Sequence, residues 1–236
     1  MQLPESHTQA RPELPENIAT VDQKSEVSVT TTNDDPSIAI NVPSQPHMSE
    51  PAIAFLKDKL TASECYLEYG SGGSSRLAAR LKVPYIFSVE SDVVYGKAVR
   101  RFVSRDLGKS KFKMYCPDIG PTGDWGYPTG HDFAANWPTY YSTVWDMIDK
   151  AEVSPDIILV DGRFRVACFL YSILRANSGT FIIFDDYIGR EKRYSVVERY
   201  IKPDSIKGTS AIFVVPDNLD LRSVALDLVR YSMIAL

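Results

Sequence analysis

The first 46 residues contain no aromatic side chain and no glycine; the first of each are Phe55 and Gly70. The same stretch holds six of the 15 prolines and sets two basic residues against seven acidic ones, a net charge of −5. Such a segment cannot bury enough apolar surface to offset the entropy of ordering it. Residues 1–46 are therefore expected to be a disordered acidic tail, and residues 47–236 one domain with a sizeable core. Cysteine is scarce: Cys65, Cys116 and Cys168 lie far apart with no C-x-x-C spacing. That excludes a disulfide scaffold or a cysteine zinc site and predicts reduced thiols. No apolar run approaches the ~20 residues that span a bilayer, and the start lacks the basic and apolar regions of a secretory signal. A cytoplasmic protein with no membrane partner is expected. Positive charge is not in excess either, since residues 47–236 carry 24 basic and 23 acidic residues. No nucleic-acid partner is expected from that balance.

What is present is an alternation of short apolar runs and helical patterns. Strands are predicted at 65–69, 85–89, 112–116, 156–160, 180–184, 205–208 and 211–215. Helices are predicted at 49–62, 74–82, 92–106, 139–151, 163–176, 190–201 and 219–231. Strands of about five apolar residues separated by helices signify an α/β fold with a parallel sheet covered on both faces. A long loop at 117–138, rich in glycine and proline, interrupts the pattern, and loops of that length are usually functional.

In such sheets ligands bind beyond the carboxyl ends of the strands. The turn Gly70-Ser71-Gly72-Gly73 follows the first strand, where glycines allow close approach and a helix N-terminus offers free N–H groups. Glu90 lies 20 residues after Gly70, at the end of strand two, where a carboxylate can accept both hydrogen bonds of a ribose diol. An adenosine-containing cofactor follows from the pair. The third glycine of a dinucleotide fingerprint is missing, because position 75 is Ser75. Glu68 suits a cofactor with a cationic amino group. Asp161 follows strand four, and Asp185 and Asp186 follow strand five. On adjacent parallel strands these carboxylates would lie about 5 Å apart and raise one another's pKa values. A hard cation such as Mg²⁺ would relieve that repulsion.

The run Glu68-Tyr69-Gly70-Ser71-Gly72 resembles the first motif of class I S-adenosylmethionine-dependent methyltransferases. The placement of Asp161, Asp185 and Asp186 resembles the metal-dependent O-methyltransferases of the catechol and caffeoyl-CoA type, with Asp186 where that family has Asn. The stretch from Val160 to Cys168 and the loop from Asp118 to Gly126 are similar to an uncharacterised bacterial branch of the superfamily. The resemblance implies a Rossmann-like doubly wound fold: a mostly parallel seven-stranded sheet with an antiparallel last strand and helices on both faces. It implies S-adenosyl-L-methionine as cofactor, with Glu68, Tyr69, Gly70, Ser71, Gly72 and Ser74 holding the methionine part. Glu90 and Ser91 would hold the ribose, Asp118 and Ile119 the adenine, and Asp161 would also contact the cofactor. Mg²⁺ on Asp161, Asp185 and Asp186 would lower the pKa of a substrate hydroxyl.

Catechol-type relatives carry a lysine base three residues after the first metal Asp, and here that residue is Phe164. Asp161, His131 or solvent are then the candidate bases. Arg163 and Arg165, flanking that position, cannot serve as a base but can bind a carboxylate or phosphate of the substrate. The expected function is methyl transfer, by O-methylation of a small molecule or sugar, with an anionic acceptor and a homodimer both compatible. Two alternatives stand beside it. One is a non-catalytic methyltransferase-like binding module. The other is an NAD-dependent oxidoreductase, disfavoured by Ser75 and by aspartates with no role in hydride transfer.

Overall fold

A computed structural model of the chain describes Asp35 and residues 39–235. Most of the expected tail lies outside the described residues. Strands β1 (Cys65–Tyr69), β2 (Tyr85–Val89), β3 (Lys111–Tyr115), β4 (Ile157–Val160), β5 (Phe181–Phe184), β6 (Ser205–Lys207) and β7 (Ser210–Val214) form one sheet in the order β3-β2-β1-β4-β5-β7-β6. The first five pair in parallel, and β7 runs antiparallel to both β5 and β6. The antiparallel last strand is therefore present, inserted between its neighbours rather than at the edge. Chain order reverses between β1 and β4, the switch point at which such sheets bind ligands.

Helices α1 (Glu50–Thr61), α2 (Gly73–Arg80) and α3 (Val93–Asp106) supply one apolar layer; α4 (Pro138–Asp149), α5 (Arg165–Arg175) and α7 (Leu221–Tyr231) supply most of the other. Their starts follow the sequence. Pro51 and Pro138 fit the first turns of α1 and α4, and the Asp92 carboxylate caps α3 by accepting from Val94 and Tyr95. Strands buried on both faces explain the unbroken apolar runs: Leu67 packs towards α4 and α5, Tyr66 towards α2 and α3. Among the described residues no helix is long and apolar enough to cross a membrane.

Two helices differ from expectation. The helix expected at 163–176 starts at Arg165, because Phe164 adopts a left-handed conformation with φ +54°. The helix expected at 190–201 is only a short α6 (Glu191–Tyr194) followed by a 3₁₀ turn over Ser195–Arg199. Ser195, Val196 and Val197 are poor helix formers, and the tighter turn suffices to bury Tyr194 and Val197. The long loop carries two 3₁₀ turns, Asp124–Gly126 and Ala134–Asn136, and a bridge between Thr122 and Pro128.

The domain also begins earlier than residue 47. Residues 39–46 lie as an irregular strap across α2 and α3. Val42 is buried, and its carbonyl accepts from Arg76 at 2.6 Å. Arg101 donates to the Ile40 carbonyl and Arg80 to that of Ser44. Gly73 faces the Gln45 carbonyl so closely that no Cβ would fit there. The strap is held through its backbone carbonyls, which any sequence presents equally, so composition did not reveal it. A chain lacking residues 1–46 should accordingly be less stable than one lacking residues 1–34, by about 2–4 kcal/mol in urea unfolding, from one buried valine and its carbonyl hydrogen bonds.

Candidate functional site

Parallel register brings the first residues past four strands to one edge. The Gly70 amide donates to the Val89 carbonyl, Glu90 to Tyr115, Asp161 to Tyr69 and Asp185 to Val160, all at 2.9–3.1 Å. The glycine turn and the turn after β4 are in direct contact. A Cβ on Gly162 would strike the Tyr140 hydroxyl and come within 2.8 Å of the Gly70 nitrogen. Glycine is therefore required at 162 for the two turns to touch.

Glu68 and Tyr69 sit differently from their expected place at a cofactor. Both are in β1, so their side chains leave the sheet on opposite faces, and both are fully buried. The Glu68 carboxylate accepts from the hydroxyls of Tyr66 (3.0 Å), Ser74 (2.6 Å), Ser88 (2.7 Å) and Ser75. Burial raises its pKa, and the four donors oppose that shift. This carboxylate pins the start of α2 to the sheet; it has no oxygen left for a ligand ammonium. Ser74 points inward with it. Tyr69 lies in the core on the α4 side, donating to the Tyr141 carbonyl and accepting from the Trp145 indole.

Gly70, Ser71 and Gly72 form the turn itself, and Glu90 faces it. One Glu90 oxygen, Oε2, accepts from the Ser71 hydroxyl at 2.7 Å and amide at 3.3 Å; the other, Oε1, accepts from the Asp92 amide at 3.0 Å. Burial raises the Glu90 pKa. Ser71 can yield its place on Oε2 to a diol, so this edge fits the ribose of an adenosine cofactor. Ser91 donates to the Gly126 carbonyl at 3.2 Å, fastening the long loop to the end of β2. Asp118 is exposed at the rim, where it accepts from the Gly120 amide. The Ile119 side chain is buried in the core, and its carbonyl accepts from Trp137. His131 is exposed with its ring 5.4 Å from that of Trp137; among the described residues no hydrogen bond links it to the aspartates.

The three aspartates do converge, with one oxygen from each lying within 4.8 Å of the others. Arg165, expected with Arg163 to face a substrate anion, instead lies among these aspartates. Its side chain is 4% exposed and reaches into the middle of the group. It donates to the carbonyls of Gly162 (3.1 Å), Asp185 (2.6 Å) and Asp161 (3.0 Å), and to Asp161 Oδ1 at 3.0 Å. Asp186 Oδ2 is 3.7 Å from Arg165 and 3.1 Å from Arg190. Ser210 donates to Asp185. The spacing Asp161/Arg165, one helical turn, was the available signal.

This donor set does not fit the expected Mg²⁺. A guanidinium already supplies the counter-charge, and moving it aside would strand three carbonyls and a buried cation. The carboxylates still feel their crowding. Burial raises the pKa of Asp185. It pushes that of Asp161 up to about 7, with Asp185 and Asp186 raising it further and Arg165 pulling it down. Asp161 keeps 30% of its side-chain surface open, and its Oδ2 has no hydrogen-bond partner among the described residues.

We expect neither EDTA nor Mn²⁺ to shift the melting temperature of the wild-type protein. Arg165→Gln should lose about 3–5 kcal/mol of stability and gain stabilisation by Mn²⁺, because three carboxylates are then unpaired. A wild-type melting temperature that climbs with Mn²⁺ would contradict the assignment.

No protein-family profile matches the chain, and no curated protein does. Among solved structures, a methyltransferase-like protein from Silicibacter pomeroyi is 30% identical, with a TM-score of 0.73 over 81% of this chain and 100% of that one. An O-methyltransferase from Bacillus cereus, solved with SAH, matches 76% of this chain and 87% of its own at 15% identity and a TM-score of 0.48. With the strand order, the glycine turn and Glu90 in place, the match at 30% identity over 81% of this chain and the whole of the other identifies the chain as a member of the class I S-adenosylmethionine-dependent methyltransferase superfamily.

Proposed function

We propose that the chain transfers a methyl group from S-adenosylmethionine to a hydroxyl oxygen of a small molecule, with Asp161 as the base and no metal ion. The observation that carries this reading is Asp161 itself. It is a half-open carboxylate with a free oxygen, a pKa of about 7, and a backbone joined to the end of β1.

Glu90, Ser71 and the turn from Gly70 to Gly73 would hold the cofactor, with the ribose on Glu90. The cofactor supplies an electrophilic methyl group on a positively charged sulfur. The chain's own work is alignment, exclusion of water and proton removal. Asp161 Oδ2 would take the acceptor hydroxyl's proton, so that the oxygen could accept the methyl group the cofactor would supply, with S-adenosylhomocysteine as the leaving group. Arg165 keeps Oδ1 fixed throughout, so the carboxylate turns neither towards Asp185 nor away from the acceptor. The products are the methyl ether and S-adenosylhomocysteine, and the proton stays on Asp161 until solvent removes it. His131 has no part in this scheme.

Calorimetric titration should show S-adenosylhomocysteine binding to the wild-type protein, unaffected by EDTA; no heat of binding would remove the reading. Transfer of labelled methyl groups to hydroxylated acceptors should increase with pH through about 7 and then level off, as Asp161 ionises. Asp161→Asn should lose at least about 10²-fold in rate and show no such rise. Stability gives a second readout. The folded pKa of Asp161 lies above its unfolded value of about 4, so the native state is favoured by the proton. That contribution is complete below the unfolded pKa and is lost as pH rises through about 7. In Asp161→Asn this part of the pH dependence of unfolding should be absent.

A further inference from the structure

Arg163 is 8% exposed, and its Nε is buried with no hydrogen-bond partner. Among the described residues its guanidinium makes no hydrogen bond or ion pair at all. It stacks on the ring of Tyr127, with the guanidinium carbon 4.1 Å from the ring centroid, and its charge acts on nearby Asp161, lowering that carboxyl's pKa. The ring and the neighbouring charge offset part of the cost of burying this cation, but neither supplies a hydrogen-bond acceptor, so the N–H edges stay open.

The position is rigidly built. The Arg163 amide is bonded to the Tyr140 hydroxyl at 3.1 Å, and its carbonyl accepts from Cys168. The next residue, Phe164, is fully buried with φ +54° and lies 5.4 Å from the rings of both Trp137 and Tyr140. Left-handed backbone at a phenylalanine is strained. With Phe164 left-handed, residue 163 lies outside the helix, and α5 begins two residues later than expected.

Its place along the sheet says what it would meet. The ribose-binding carboxylate is at the end of β2, and the order runs β2-β1-β4-β5. Were Glu90 and the glycine turn to hold the cofactor at the ends of β2 and β1, the neighbouring strand ends left for an acceptor would be those of β4 and β5. Asp161, Arg163, Asp186 and Arg190 all stand there, and Tyr127 reaches the same spot from the long loop.

We infer that Arg163 binds an anionic group of the methyl acceptor, so that the acceptor is an alcohol or phenol bearing a carboxylate or phosphate. The inference rests on the methyltransferase reading and adds the acceptor's chemistry. The fork of Arg163 takes two oxygens of the anion, while the acceptor hydroxyl lies against Asp161. Arg190, 46% exposed in its side chain, stands at the mouth paired with Asp186, so that pair adds no net charge and the anion is left to Arg163.

The test uses the full chain saturated with S-adenosylhomocysteine and inorganic phosphate as the probe, with sodium chloride matched for ionic strength. Phosphate binding is followed by ³¹P line broadening. Wild type should bind phosphate, and Arg163→Gln should bind it about tenfold more weakly or worse, with affinity for S-adenosylhomocysteine unchanged. Arg163→Lys, which keeps the charge and loses the fork, should fall between the two and guards against a misfolded glutamine variant. No phosphate binding in wild type, or binding that both variants retain in full, overturns the inference. So does a variant that loses affinity for S-adenosylhomocysteine but not for 5′-methylthioadenosine, which lacks the carboxylate, because Arg163 would then serve the cofactor. Failure of wild type to bind S-adenosylhomocysteine refutes the methyltransferase reading itself, and it is measured separately.

Discussion

The guanidinium of Arg165 is the contact on which the working edge of the sheet depends. It closes the carboxyl ends of β4 and β5 with hydrogen bonds to backbone carbonyls on both sides, and it holds Asp161 through one oxygen. A lone arginine buried this deeply would be unfavourable; it is tolerable because every N–H direction it uses meets a carbonyl or a carboxylate. Asp161, Asp185 and Asp186 could not share this small volume without such a cation. Mutual dependence of this kind makes the cluster rigid. Removing either sign leaves the other buried and unpaired, so the pieces stay or fail together.

A second polar cluster lies on the opposite face of the sheet, where Glu68 gathers four hydroxyls beneath the start of α2. The glycine turn runs between the two clusters. Its near side is fixed by Ser74 and Ser75 on Glu68, its far side by the contact of Gly70 with Gly162. Neither cluster consists of ligand-binding groups alone. Each secures the backbone so that a turn rich in glycine keeps one shape, the preorganisation that a cofactor site needs.

The sequence disclosed the fold better than the directions of its side chains. Seven short apolar runs separated by helical patterns were enough for the parallel sheet, because strands covered on both faces must be apolar throughout. The same property hid the role of Glu68. In a strand buried on both sides no alternation tells which way a residue points, so Glu68, at the end of its expected strand, was assigned to a cofactor ammonium when its carboxylate lies under a helix. Asp161 and the Asp185–Asp186 pair were legible from strand ends, yet the cation among them was taken for a metal. Phe164 breaks the helical pattern at Arg165, and nothing in the residue type announces a positive φ. The contacts of Gly126 with Ser91 and of Tyr127 with Arg163 are long-range and come from a loop. Loops follow no period, so their contacts are not encoded locally.

That loop separates two kinds of constraint within the site. Residues at strand ends are set by the register of a buried sheet and can vary little without disturbing the core. Residues 117–138 answer to few such demands: Gly126 and Tyr127 touch the ends of β2 and β4, while Trp125 stands 78% exposed with φ +59°. Strain at Trp125, Phe164 and Asp186 therefore falls where three loops meet the ligand-facing edge, whereas Lys82 and Glu152 are the other two such residues among those described. Strain persists where the surroundings enforce it. Phe164 is enforced by the rings around it and Asp186 by two arginines, but Trp125 has only a tilted contact with His47 at 6.0 Å. The backbone at the ends of β4 and β5 is thus held by its surroundings, whereas the loop around Trp125 is the part of this edge least constrained by the core.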